Sequence, residues 1–182
     1  MIQLLAILIM RIIYLKNKND LFFNSAWELY IESFPLEERR TLDEQIKLLD
    51  EKDYKMLCYI ENDILLSIVF YWKISSYTYL EHFAVNSNLR GMSYGSKILE
   101  EFIKDNKNIV LEIEEISDEI SEKRLKFYKK FEFQLNEHEH YQVPFRKGEK
   151  ELKLLLMTHK KVLKKDEYKD LYMKMKESLT QA

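Results

Sequence analysis

The stretch Arg90-Gly91-Met92-Ser93-Tyr94-Gly95-Ser96 holds two of only three glycines in the chain. It follows the strand-like run Tyr79–Val85 and leads into the helix-like run Ser96–Ile103. Glycine, where a chain is this poor in it, marks backbone that needs positive φ or close approach to something. A strand, a short turn and a helix start together present orphan N–H groups and positive potential, which suits an anion. The chemistry indicated is binding of a phosphate-bearing ligand. The turn is not a Walker A loop, because Gly-x-x-x-x-Gly-Lys-Ser/Thr is absent, and too few βαβ units follow for a Rossmann domain. Glu137-His138-Glu139-His140 invites a second reading, since strand alternation would put both histidines on one face. No third ligand is placed by the sequence, and no metal is expected. His82 and His159 are read as structural.

The elements that must position this turn follow from pattern. The chain has 182 residues, enough for one domain with a sizeable core. Its 29 basic and 31 acidic residues nearly cancel, which argues against bulk nucleic-acid binding. The single cysteine, Cys58, excludes an internal disulfide and a cysteine-based zinc cluster; it suits a reducing cytoplasm and reads as a buried, inert thiol. The apolar run Met1–Met10 lacks the charge order and cleavage site of a signal peptide, and the run through Leu15 is short for a bilayer span. It is read as an upstream extension, with translation starting at Met10 and no stable membrane insertion.

Arg11–Leu15 reads as the first strand. Asp20 is placed as the cap of a helix through Ile31, and Thr41 with Glu44 forms a capping box for a short helix through Leu49. Tyr54–Ile60, Ile64–Ile74 and Tyr77–Val85 read as an antiparallel meander with turns at Glu61-Asn62-Asp63 and Ser75-Ser76. A helix over Gly95–Asn106 and a strand at Ile109–Ile113 complete a βαβ crossover. Ser117 or Asp118 caps the next helix, and Phe133–Phe145 and Leu152–Thr158 read as the last strands. Residues 159–182 form an amphipathic helix packing on the domain, with Tyr168, Leu171, Tyr172, Met175 and Leu179 at helical spacing. The fold class is α/β (α+β), with a mixed, mostly antiparallel sheet of about seven strands flanked by helices.

This order, with the glycine turn, resembles the GNAT superfamily of acetyl-CoA-dependent N-acetyltransferases, over residues 11–158. The family's phosphate loop reads Arg/Gln-x-x-Gly-x-Gly/Ala; Arg90 matches its first position and Gly95 its last, Gly91 is the glycine often seen right after the arginine, and Ser93 stands in place of the middle glycine. Phe127-Tyr128-Lys129-Lys130-Phe131-Glu132-Phe133 is similar to the family's Phe/Leu-Tyr-x-x-Leu-Gly-Phe, with Glu132 in place of glycine. The runs Glu81–Val85 and Tyr141–Gly148 look like one bacterial branch of such enzymes.

The resemblance implies acetyl-CoA as co-substrate and direct attack by a primary amine of a small molecule or peptide. An alkylamine, with a pKa of about 10.4, must lose a proton first. Glu81 is the candidate general base, with Glu112 and Glu114 as rivals; the plainer reading is that Glu81 faces solvent on its strand. Tyr128 matches the family's general acid, against the plainer reading that it belongs to the apolar stripe of its helix. Backbone groups of Phe83, Ala84 and Val85 would polarise the acetyl carbonyl and pair with pantetheine. Those of Arg90, Gly91, Met92, Ser93, Tyr94, Gly95 and Ser96 would cradle the pyrophosphate. A homodimer through sheet edges or C-terminal elements is the assembly such domains often use. The competing reading, from Ser93 and Glu132, is a degenerate fold that binds acyl-CoA as a sensor or interaction module.

Overall fold

The computed structural model describes residues 10–146, 148 and 150–180. The segment read as an upstream extension lies outside them apart from Met10. The elements are β1 (Arg11–Leu15), α1 (Phe23–Ser33), α2 (Leu42–Lys47), β2 (Tyr54–Glu61), β3 (Ile64–Ile74), β4 (Tyr77–Val85) and α3 (Tyr94–Asp105). Then come β5 (Ile109–Ile113), α4 (Glu119–Lys130), β6 (Phe133–Leu135), β7 (His140–Gln142), β8 (Leu152–His159) and α5 (Lys165–Thr180). One sheet takes the order β1-β2-β3-β4-β5-β8-β6, and β7 pairs with β8 beside it. All its neighbours are antiparallel except β4 and β5, which the crossover through α3 makes parallel.

Local chemistry explains most of these boundaries. Asn62 and Asp63 both take positive φ (49° and 60°) between β2 and β3, and Ser75 (54°) does so between β3 and β4. Asparagine and aspartate tolerate that region better than most residues, so they sit in tight hairpins. Thr41 and Glu44 make the full capping box at the start of α2, and Asp118 makes one with Ser121 at the start of α4. Asp20 departs from its expected role. Its carboxylate accepts from the backbone of Lys16 and Asn17, closing the preceding turn, and α1 starts at Phe23 with Phe22 at the N-cap and no side-chain cap.

The expected strand Phe133–Phe145 is two strands, which gives eight in all. Buried Asn136 breaks it: its amide donates to Thr158 Oγ1 at 2.8 Å and its oxygen accepts from Leu163 N at 2.8 Å. A side chain so engaged cannot alternate within a regular ladder, and β6 and β7 pair separately along β8.

The sheet separates two cores. On one face Tyr30, Phe70, Trp72, Tyr79 and Ala84 pack with α1 and with Leu171, Met175 and Leu179 of α5. On the other Leu80, Ile98, Phe102, Leu111 and Tyr128 pack with α3 and α4. Among the described residues no helix is long and apolar enough to cross a membrane.

Candidate active site

Strands β4 and β5 are bonded only at Thr78–Ile109, Tyr79–Val110 and Leu80–Leu111. Beyond Leu80 they part, and β4 runs on to Val85 with its β5-side edge free. The space between is a cleft of about 960 Å³, bounded by both strands, the glycine turn, α4 and the chain after α1. All the sequence-predicted site residues line it except Met92, which is 57% exposed.

The glycine turn has the anatomy of an anion seat. Met92 N–H bonds Leu89 O and Lys97 N–H bonds Ser93 O. The N–H groups of Ser93, Tyr94, Gly95 and Ser96, which lie between them, have no partner among the described residues. Gly91 (φ 80°) and Ser93 (φ 65°) bend the backbone so that these donors converge at the start of α3. At Gly95 a Cβ would stand 3.3 Å from Val85 Cγ2, so glycine lets the helix start close onto β4. Arg90 ties the turn down by donating from Nε to Val85 O at 3.3 Å. The donor set fits a pyrophosphate.

Glu81 occupies a different environment from the one expected. The register between β3 and β4 slips by one residue, Phe70 pairing with His82 and Tyr71 with Leu80, so Glu81 is the extra residue of a β-bulge. Alternation is interrupted there, and Glu81 and His82 both face the α1 side. Glu81 is 0% exposed at its side chain and faces Arg40, which is 2% exposed. Arg40 donates to both carboxylate oxygens, at 2.8 and 2.9 Å, and Trp72 Nε1 donates to Oε1 at 3.0 Å. Burial alone would raise the carboxyl pKa; the guanidinium, with help from His82, outweighs it and holds the group at about 2. So engaged, Glu81 is a poor acceptor for an amine proton, and the solvent-facing reading does not hold either. It is an anchor: through Arg40, whose N–H donates to Tyr30 Oη, it fixes the chain after α1 over the cleft.

The rival carboxylates are also engaged. Glu112 accepts from Tyr79 Oη at 2.7 Å and lies 2.6 Å from His140 Nε2. Glu114 is paired with Arg124 of α4. Tyr128 combines both of its readings. Its ring packs against Phe127 and Phe133, yet the residue lines the cleft and its hydroxyl makes no hydrogen bond among the described residues. Burial pushes that hydroxyl up to about 12, so it is protonated near neutrality.

His82 and His138 are each tied into the packing of the fold. His82 Nε2 donates to Glu38 O at 2.9 Å and its ring sits among Tyr30, Phe34 and Phe145. His138 stacks on Tyr168 and lies outside any strand, so it does not share a strand face with His140. No group of three or more His, Cys, Asp or Glu among the described residues could hold a metal.

Sequence reasoning missed Arg40 and Glu38. Both sit just after Pro35 in a segment with no periodicity, and nothing in their spacing ties them to a strand about 40 residues on.

The profile of the family described as "Acetyltransferase (GNAT) domain" matches residues 28–145. The chain belongs to the GNAT acetyltransferase family. A GNAT-family structure from Bacteroides thetaiotaomicron, named as an acetyltransferase, is 30% identical, covers 91% of this chain and 95% of that one, and superposes with a TM-score of 0.84. A Bacillus subtilis (strain 168) protein named as an acetyltransferase, YjbC, is 29% identical over 109 residues, 59% of this chain and 55% of that protein. The match thus spans about half the length of that curated relative. A GNAT acetyltransferase from Elizabethkingia anophelis with acetyl-CoA bound shares the fold at 13% identity, with 82% and 97% coverage and a TM-score of 0.56.

Proposed function

We propose that this GNAT enzyme transfers the acetyl group of acetyl-CoA to a primary amine of a small molecule or peptide, both substrates meeting in the cleft. The observation that carries the reading is the row of unpaired N–H groups from Ser93 to Ser96, opening on the same cleft as the Tyr128 hydroxyl. The first suits a pyrophosphate, and the second is a protonated donor where a thiolate would leave. The family's record of bound coenzyme supports the same choice of donor.

In this reading the free edge of β4 from Phe83 to Val85 pairs with pantetheine amides and polarises the acetyl carbonyl. The amine, once deprotonated, attacks the carbonyl carbon. A C–N bond forms, the C–S bond breaks, and the departing sulfur takes the Tyr128 proton. The nitrogen's surplus proton returns to the phenolate. Glu32, Glu38, Glu112 and Glu114 along the cleft suit a cationic acceptor. A cytoplasmic location goes with this reading, because Cys58 is a free, buried thiol.

Calorimetric titration with acetyl-CoA tests the reading, followed by thiol release with a panel of alkylamines. Micromolar binding that Gly95→Trp abolishes, with turnover on an amine, is the expected result. Binding without turnover on any amine would favour the sensor, and no binding would remove the coenzyme from the reading.

A further inference from the structure

Five carboxylates come to the cleft, and four are bonded or lie in open water. Glu81 is held by Arg40 and Trp72, Glu112 by Tyr79 and His140, and Glu114 by Arg124. Glu32 is on the exposed side of α1, where water screens it. Glu38 differs from all of them. It is half-buried, and its carboxylate has no hydrogen bond or ion pair among the described residues.

Its backbone is nevertheless fixed. Glu38 N–H closes a single turn onto Pro35 O at 3.1 Å, and Glu38 O accepts from His82 Nε2 at 2.9 Å. Two residues on, Arg40 is locked into Glu81 and its N–H onto Tyr30. The buried Arg40–Glu81 pair therefore holds a free carboxylate at the wall of the cleft. Glu38 and Tyr128 also share neighbours, since both feel Arg124 and Glu114, which puts them at the same end of the site.

We propose that Glu38 is the general base, taking the proton from the acceptor's ammonium before its nitrogen attacks. The proposal rests on the transferase reading above. The ammonium proton goes to the Glu38 carboxylate and from there to solvent as product leaves. The nitrogen lone pair so released makes the C–N bond. The environment suits the task. Partial burial raises the Glu38 carboxyl, Glu114 beyond β5 and Glu37 in its own turn add to the rise, and His82 of β4 and Arg124 of α4 offset part of it. A carboxylate raised in this way is a better proton acceptor near neutrality than an ordinary one.

The experiment compares the full-length enzyme with Glu38→Gln, using acetyl-CoA and the alkylamine of the panel that gives the fastest thiol release. The expected loss in kcat is about 10²- to 10⁴-fold. The acidic limb of the kcat/KM profile should disappear, while the acetyl-CoA Kd and Tm are unchanged. A Gln variant that keeps the wild-type kcat and acidic limb overturns the base role and leaves the transferase reading standing. Should wild type release no thiol with any amine, the transferase reading fails, and this role with it. If Glu38→Gln loses acetyl-CoA binding, Glu38→Ala with added formate decides instead: recovery of rate supports the base role, and none overturns it.

Discussion

Nε2 of His140 stands 2.6 Å from Oε1 of Glu112, with the two side chains 0% and 5% exposed. Strand β8 runs between the strands that carry them. The other ring nitrogen lies 3.2 Å from Tyr168 Oη of α5, and that hydroxyl donates to Glu139 O. The C-terminal helix is thus bonded, through one imidazole, to a carboxylate of the cleft wall. His140→Ala would leave Glu112 buried with Tyr79 as its remaining donor, a loss of about 1–3 kcal/mol or more for a charged group. His138→Ala gives up a stacking contact on Tyr168 and a hydrogen bond to Leu163 O at 2.9 Å, neither with a charged partner, together about 1–2 kcal/mol. Urea midpoints should rank the His140 variant as clearly the less stable of the two. Equal midpoints would mean the Glu112 contact adds nothing.

Removing the charge from Glu81 should act on folding before it acts on chemistry. Glu81→Gln leaves the buried Arg40 guanidinium without its counter-charge, at a cost of about 3–5 kcal/mol. Replacing both partners together, as Arg40→Met with Glu81→Leu, should recover most of that loss. The pH dependence has a definite sign. The folded carboxyl is held at about 2 against an ordinary 4.5, so its stabilisation is complete above about 4.5 and fades as pH falls towards 2. The difference corresponds to on the order of 3 kcal/mol. Urea unfolding at pH 6 and pH 3 should show wild type losing more stability than the double variant. Parallel losses would sink the assignment.

The sequence carried the strands and turns because those rest on local chemistry. Asn62-Asp63 and Ser75 announce hairpins by residue type, and Gly91 announces a positive φ. Asp118, one of the two cap residues the sequence offers for α4, is equally local. What stayed hidden depends on partners far along the chain. An alternating strand pattern over Tyr79–Val85 carries no mark of the bulge that turns Glu81 and His82 to one face. Asn136 reads as an ordinary strand residue until Thr158 and Leu163 are known to surround it. Arg40 and Glu38 belong to the site only because Glu81 and His82 reach back to them. The glycine turn with its free N–H groups is local and so legible; the wall built from Glu38, Arg40 and Glu81 is assembled at long range and is not.

Tyr128→Phe should separate catalysis from folding cleanly. The hydroxyl makes no hydrogen bond among the described residues, so its removal leaves no partner unsatisfied and Tm should stay within a degree or two. Loss of a general acid should lower kcat by about 10²-fold or more, with acetyl-CoA affinity unchanged. Burial holds the phenol at about 12, so wild type should show no alkaline limb from this residue below pH 10. Stopped assays across pH 6–10 would read both points. A Phe variant with full turnover would take Tyr128 out of the chemistry.

Ser93 departs from the family pattern where a glycine would be cheapest, and its geometry shows the cost. The residue sits at φ 65° and ψ 6°, and its side chain makes no capping hydrogen bond. Left-handed backbone costs a non-glycine residue about 1–2 kcal/mol. Glycine gives back about 0.5–1 kcal/mol through the freedom it adds to the unfolded chain. Ser93→Gly should therefore stabilise the protein by up to about 1 kcal/mol, read as a rise in Tm. Ser93→Ala keeps the strain and loses no bonded hydroxyl, so it should be close to neutral. The N–H row from Ser93 to Ser96 survives in both, and acetyl-CoA should bind as tightly or more tightly than to wild type. Weaker binding to both variants would give the Ser93 hydroxyl a direct contact with the ligand, and the serine would then be a specific feature of this enzyme's phosphate seat.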